Sequence, residues 1–226
     1  MKIGIVVATK KELDPFIQVF GTPAFCTYNR RGYNIMGWTT GHKKTISLIV
    51  SGVGEIAAAA STQHLIDCYE VDGIINYGVA GGLHQNHSAG QLGIVESLIH
   101  TDFDITLSGE HVIGEYPHHV GPFISPIKSF IPDEITKDLP KFVCASADKF
   151  VGGGEPKQRL RREFGADICE MEAAGVLFTC NRNVVPVTLV KAVSDGVDED
   201  SDAFDCNLYR AALSCVKVIE TFVHSN

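Results

Sequence analysis

The sequence predicts an α/β fold in which a mixed β-sheet is covered by helices. Three observations predict it. Short runs rich in Ile and Val recur along the chain, helical patterns separate them, and the runs mostly lack the alternation of a strand with one wet face. A strand covered on both faces reads as a continuous apolar run, and helices on either side of a sheet provide that cover.

The elements follow in order. "IGIVVA" (3–8) is a buried strand, and "TKKEL" after it opens a helix carrying Glu12. "YNIMGWTTGHKKTISLIV" (33–50) holds two strand-like runs about a turn at Gly41-His42, the pattern of a hairpin. "GEIAAAASTQHLIDCY" (54–69) is Ala-rich with apolar residues three and four apart, a helix. "GIINYG" (73–78) and "LGIVES" (92–97) are strands, and "AAGVLFTC" (173–180) is a helix. "VVPVTLVKAV" (184–193) is the last core strand, and "FDCNLYRAALSCVKVIETFV" (204–223) is an amphipathic closing helix. Residues 101–140, rich in Gly, Pro and His, are expected to be a functional loop region, because long structureless loops are uncommon inside compact domains. With no linker and no repeat, residues 1–226 are expected to form one domain.

Composition excludes several classes. A net charge of −8 argues against non-specific nucleic-acid binding, and the one basic stretch, "KQRLRREF" (157–164), reads as a solvated helix face. Seven cysteines without a C-x-x-C pair describe neither a zinc site nor a disulfide framework and suit a reducing compartment. His84 and His87, and the adjacent His118 and His119, lack a third ligand at helical spacing, so no metal site is expected. No apolar run is long enough for a membrane span, and the apolar part of the N-terminus is too short for a signal peptide. With 45% hydrophobic residues and a mean hydropathy of +0.09, the expectation is a soluble cytoplasmic globule.

The candidate chemistry sits where strands end. Asp195 in "AVSDGVDED" (192–200) closes the last core strand, the edge at which α/β sheets place ligands. Partial burial there would raise its pKa and suit it to general-acid work, whereas an Asx-turn is the structural alternative. Asp198, Glu199, Asp200 and Asp202 read as a solvated acidic loop. Glu12 is either a helix-surface glutamate or, following strand one, a neighbour of Asp195 at the same edge. "GVAGGL" (78–83) lets backbone approach a ligand but misses the G-x-G-x-x-G spacing, and a tight turn explains it equally. "EMEAAG" (170–175) puts two carboxylates at a helix start, as an ordinary first turn or as a sugar clamp.

"MKIGIVVATKKEL", "SGVGEIAAA", "INYGVAGGL", "HTDFDIT", "GEYP", "SADKFVGG", "EMEAAG" and "AVSD" in this order and spacing resemble the nucleoside phosphorylase and nucleosidase superfamily, and within it the 5′-methylthioadenosine/S-adenosylhomocysteine nucleosidases. The likeness implies roles. Asp195 would protonate N7 of the purine, and Glu12 would hold and activate the attacking water. Met171 and Glu172, with Glu170 nearby, would grip the ribose. Phe150 would stack on the base and the backbone of Val151 would read its edge, with Val53, Val79, Ala80 and Gly81 lining the site. Phe204 would line the 5′ side, and Pro117 from a neighbouring subunit would close it, because the family forms dimers. The chemistry suits these residue types: breaking C1′–N9 builds positive charge on the sugar, which carboxylates stabilise, and no metal or organic cofactor is implied. A neutral Asp195 beside an ionised Glu12 would split acid from base.

Val79 stands where the family carries serine, Lys191 where it tends to have arginine, and Lys10 and Lys11 in place of a more acidic stretch. Phosphorolysis is the nearest rival to hydrolysis. It calls for an arginine cradle, for which only Arg30 and Arg31 of a partner subunit, with Lys10 and Lys11, are available. A non-catalytic nucleoside-binding protein on the same fold is the third reading.

Overall fold

Strand β1 (Lys2–Val7) alternates its side chains between two apolar surroundings. Ile3, Ile5 and Val7 join one buried cluster with Phe16, Trp38, Tyr77 and Phe222, while Val6 joins a second with Leu65, Ile74, Val176 and Leu177. Both faces of the strand are dry, which is why its sequence does not alternate. The computed structural model describes residues 1–28, 32–41, 43–117, 119, 121–125, 128–199 and 201–225.

Helix α1 (Lys10–Phe20) follows β1 and is started by Thr9 in a capping box with Glu12. An edge hairpin of β2 (Phe25–Tyr28) and β3 (Asn34–Thr39) continues into β4 (Thr45–Val50). β3 and β4 pair antiparallel as expected, with Trp38 opposite Ile46; His42 of the expected turn lies outside the described residues. Helix α2 (Glu55–Tyr69) leads to β5 (Gly73–Gly82) and β6 (Leu92–His100). A short helix α3 (Asp133–Thr136) precedes β7 (Lys141–Ser146), α4 (Glu155–Phe164) and β8 (Ile168–Glu170). Helix α5 (Ala173–Asn183), β9 (Val187–Asp195) and α6 (Ser201–His224) complete the chain.

Among the described residues the strands form one mixed sheet in the order β2-β3-β4-β1-β5-β8-β7-β6-β9. β5 pairs with β9 as well as with β8, so five strands close a ring and the others extend from it as an open arm. β1, β4, β5 and β9 run parallel, which brings the ends of β1, β5 and β9 to one edge. Helices α1 and α6 contribute to one apolar cluster, and α2 and α5 to the other. Helix α5 starts hard against α2: a Cβ on Gly175 would come within 2.1 Å of the Glu55 carbonyl oxygen.

The sequence reading missed β2, β7 and β8. β2 is exposed along its whole length and β8 has three residues, so neither carries a buried strand's pattern. The basic stretch is helix α4, but Lys157 at its start is fully buried, which corrects the reading of 157–164 as wholly solvated. Cys144, Cys169, Cys180 and Cys215 are buried free thiols that behave as small apolar residues, while Cys26, Cys68 and Cys206 are exposed. No helix among the described residues is long and apolar enough to cross a membrane.

Candidate active site

A cavity of about 430 Å³ opens where β1, β5 and β9 end, a size suited to a small organic molecule. Glu12, Glu170, Met171, Glu172 and Asp195 all line it. So do Val53, Val79, Ala80 and Gly81, and so do Phe150, Val151 and Phe204. The rings of Phe150 and Phe204 meet edge to face at 5.5 Å, and Phe150 is half exposed at the cavity. Pro117 is the expected site residue that does not line this cavity. It lines a second, open cavity with His100, Phe103, Tyr116, His119 and Phe178, and no described residue of 101–140 lines the first.

Glu12 resolves the choice between surface and site. It is buried, and its Oε2 accepts from the Thr9 backbone N–H and the Thr9 hydroxyl, both at 2.9 Å. Its Oε1 accepts from the Val79 N–H at 3.2 Å. The capping box therefore aims one oxygen at the end of β5. Gly78 has no side chain there because a Cβ would lie 2.5 Å from Glu12 Oε1. Burial pushes the Glu12 carboxyl up, against Lys191 and the Thr9 and Val79 donors, which pull it down.

The two glutamates of "EMEAAG" differ in role. Glu170 is committed to the protein's own donors: it accepts from Lys191 at 2.9 Å, from Ser146 Oγ at 2.6 Å, and from the Glu172 and Ala173 N–H groups at the start of α5. Burial opposes its charge, but Lys191 and these bonds outweigh it and hold the carboxyl below its ordinary value. Lys191 in turn stays charged although buried, because Glu170 and Glu172 outweigh its desolvation. Glu170 thus lines the cavity beside Met171 and Glu172 while its carboxylate organises the helix start. Glu172 stands at the N-cap position without a side-chain capping bond. Its Oε1 accepts instead from the Gly54 N–H at 3.0 Å, and burial together with the Glu170 charge pushes its carboxyl up to about 7.

Asp195 ends β9 as expected and is buried. Its surroundings are a further correction. It is half of a buried ion pair: Lys157 Nζ donates to Asp195 Oδ2, and Ser194 Oγ donates to Oδ1 at 2.5 Å. Where partial burial is expected of this side chain, it is enclosed, with both carboxylate oxygens accepting from side chains of the protein itself. Asp198, Glu199 and Asp202 are exposed as expected, and Asp200 lies outside the described residues.

Two participants escaped the sequence reading, Lys157 and Ser146. Lys157 shares a helix face with Leu160 and Phe164, which pack inward, and that spacing was the one available signal. The histidines are engaged elsewhere. His87 Nδ1 lies 2.9 Å from the Asp167 carbonyl oxygen, His84 Nδ1 accepts from the Asn86 N–H at 3.1 Å, and His119 Nε2 lies 2.8 Å from the Phe123 carbonyl oxygen. His118 is outside the described residues. At the second cavity, His100 Nε2 lies 2.5 Å from Glu55 Oε2 and 2.7 Å from Asp102 Oδ1. Burial works against the charge of His100, but the two carboxylates outweigh it and raise the imidazole pKa. This makes the trio an ion-paired cluster.

Comparison with known proteins matches residues 2–224 to the Phosphorylase superfamily. The chain is 29% identical over 229 residues to an aminodeoxyfutalosine nucleosidase of Helicobacter pylori, covering 98% of this chain and 97% of that protein. It is 30% identical over 234 residues to a 5′-methylthioadenosine/S-adenosylhomocysteine nucleosidase of Glaesserella parasuis, covering 97% and 96%. A crystal structure of the latter type of enzyme from Helicobacter pylori, with butyl-thio-DADMe-Immucillin-A, superposes with a TM-score of 0.88 at 28% identity, covering 99% of this chain and 97% of that one. The chain belongs to the Phosphorylase superfamily and, within it, to the nucleosidases.

Proposed function

We propose that this cavity hydrolyses the N-glycosidic bond of purine nucleosides carrying a 5′ substituent, with 5′-methylthioadenosine and S-adenosylhomocysteine as substrates. The observation that carries this reading is the convergence, in one cavity, of Glu12, Met171, Glu172, Phe150 and Asp195, residues from four separate segments. In this reading Asp195 gives a proton to N7, C1′–N9 breaks, and the sugar passes through an oxocarbenium-like state. Glu12 holds a water against C1′ and takes its proton, and its burial makes it the stronger base. Glu172 accepts from the ribose hydroxyls beside Met171. Phe150 stacks on the base, the Val151 backbone reads its edge, and Phe204 lines the 5′ group.

Water as the nucleophile is supported by the lining: among the described residues no arginine borders the cavity, whose cations are the point charges Lys10, Lys149 and Lys11, the last paired with Asp205 at 2.7 Å, and lysines lack the planar fork of an arginine cradle. Arg30 and Arg31 lie outside the described residues. The exposed apolar residues Ile56, Leu107, Val112 and Phe123 support association with a second copy of the chain, and in this reading the partner's Pro117 closes the 5′ end; light scattering is expected to give a dimer. The 5′ preference is tested by comparing kcat/KM for methylthioadenosine, S-adenosylhomocysteine, aminodeoxyfutalosine and inosine. Methylthioadenosine and S-adenosylhomocysteine are expected to lead. A clear lead for aminodeoxyfutalosine would move the substrate to that of the Helicobacter relative.

A further inference from the structure

A buried lysine needs a reason. Removing an ammonium from water costs several kcal/mol unless every proton finds an acceptor. Lys157 is fully buried, and all its acceptors lie on one dipeptide: Asp195 Oδ2, the Gly196 carbonyl oxygen at 2.6 Å and the Asp195 carbonyl oxygen at 3.4 Å. The side chain passes beside Gly81, where a Cβ would come within 3.0 Å of Lys157 Cε and 3.2 Å of its Nζ. The glycine of β5 and the lysine of α4 are thus one device, and its end point is the Asp195 carboxylate. Ser194 Oγ holds the other carboxylate oxygen, so the group is fixed from two sides.

We propose that Lys157 is a positioning residue for proton delivery to the purine: it fixes the Asp195 carboxyl toward the cavity and stabilises the carboxylate left when the proton departs. This rests on the reading of Asp195 as the acid. In the step, Asp195, which takes up a proton from solvent before the reaction, loses that O–H bond as N7–H forms, and the C1′–N9 electron pair moves onto the purine. The negative charge that develops on Asp195 meets an ammonium already in place, which keeps its own three protons. A cation held ready where charge develops lowers the barrier without reorganisation. The other titratable neighbours do not replace it. The Cys169 thiol is pushed up to about 12, burial being the main cause, and stays neutral, while Glu199 is occupied with the Gly196 N–H at 2.5 Å.

The test is a double-mutant cycle on kcat and KM with methylthioadenosine, using Lys157→Met, Asp195→Asn and the pair, each normalised to folded protein by circular dichroism. Lys157→Met is expected to lower kcat about 10²-fold, the scale of a misplaced general acid, with KM changed less than threefold. On the Asp195→Asn background the same substitution is expected to change kcat less than threefold, since no proton remains to position. Equal losses on both backgrounds would overturn the proposal and leave the acid role of Asp195 intact. Normal turnover in Asp195→Asn alone would instead remove the acid. If Lys157→Met does not fold, Lys157→Arg takes its place: a tenfold loss confined to the Asp195 background supports the proposal, and a loss equal on both backgrounds overturns it.

Discussion

Glu172 accepts a hydrogen bond from the backbone N–H of Gly54 at 3.0 Å, across 118 residues of sequence. The contact exists because α5 begins flush against α2 at Gly175. It leaves the N-cap residue of α5 turned away from its own helix and toward the cavity. A carboxylate serving only the helix start would point the other way.

The raised carboxyl of Glu172 makes the pH dependence of stability a direct check. Its folded value of about 7 lies above the 4.5 of a free glutamate, so the folded state holds the proton more tightly. That contribution is complete below about 4.5 and is lost as pH rises through about 7. Urea unfolding of wild type and Glu172→Gln is expected to give curves that diverge in favour of the variant between pH 5 and 8, by at most about 3 kcal/mol. The same variant is expected to lose about 1.5–3 kcal/mol in kcat/KM, because charge-assisted bonds to hydroxyls are gone. Unchanged kcat/KM with altered stability would return Glu172 to a purely structural role.

For Glu12, activity and stability separate in the opposite sense. Glu12→Gln keeps an oxygen for the Thr9 donors, so stability is expected to fall by no more than about 1 kcal/mol. Turnover is expected to fall about 10²-fold or more as the base is lost. Steady-state kinetics beside a thermal melt measures both, and turnover within threefold of wild type would exclude Glu12 as the base.

Asp195→Asn strips the anion from Lys157. Turnover is expected to fall by about 10² or more, and an ammonium left buried without its counter-ion is expected to cost about 3–5 kcal/mol of stability. Equilibrium unfolding and kcat on the same preparation test both; an undiminished stability would mean that Lys157 is satisfied by the carbonyl oxygens alone.

His119 borders the second cavity with Pro117 and bonds the Phe123 carbonyl. Replacing it by alanine is expected to leave the ratio of methylthioadenosine to inosine cleavage within about tenfold, which corresponds to roughly 1.4 kcal/mol. A larger shift in competition assays would place the imidazole against the 5′ group.

The sequence carried β1, β3 and β4 of the open arm, the long helices and the edge where the site lies, because continuous apolar runs and strand-end residues are local signals. It did not carry β8, three residues long, nor the ring that β5 closes with β9 and β8, because closure is a property of pairing partners far apart in the chain. Within the site, Glu12, Glu172 and Asp195 were legible from their motifs. Lys157 was not, since among the cations of "KQRLRREF" only its phase relative to Leu160 and Phe164 marks it as inward. Glu170 was placed beside Glu172 by adjacency, yet a strand end and a helix cap give neighbouring side chains different partners.

Incubation with methylthioadenosine in phosphate-free buffer and again in millimolar phosphate, with the sugar product identified by mass spectrometry, tests the central claim most directly. Release of adenine at the same rate in both, with free methylthioribose as the product, is the outcome expected of a water-using cavity built on Glu12 and Asp195. Release that depends strictly on phosphate and yields the sugar 1-phosphate would contradict it.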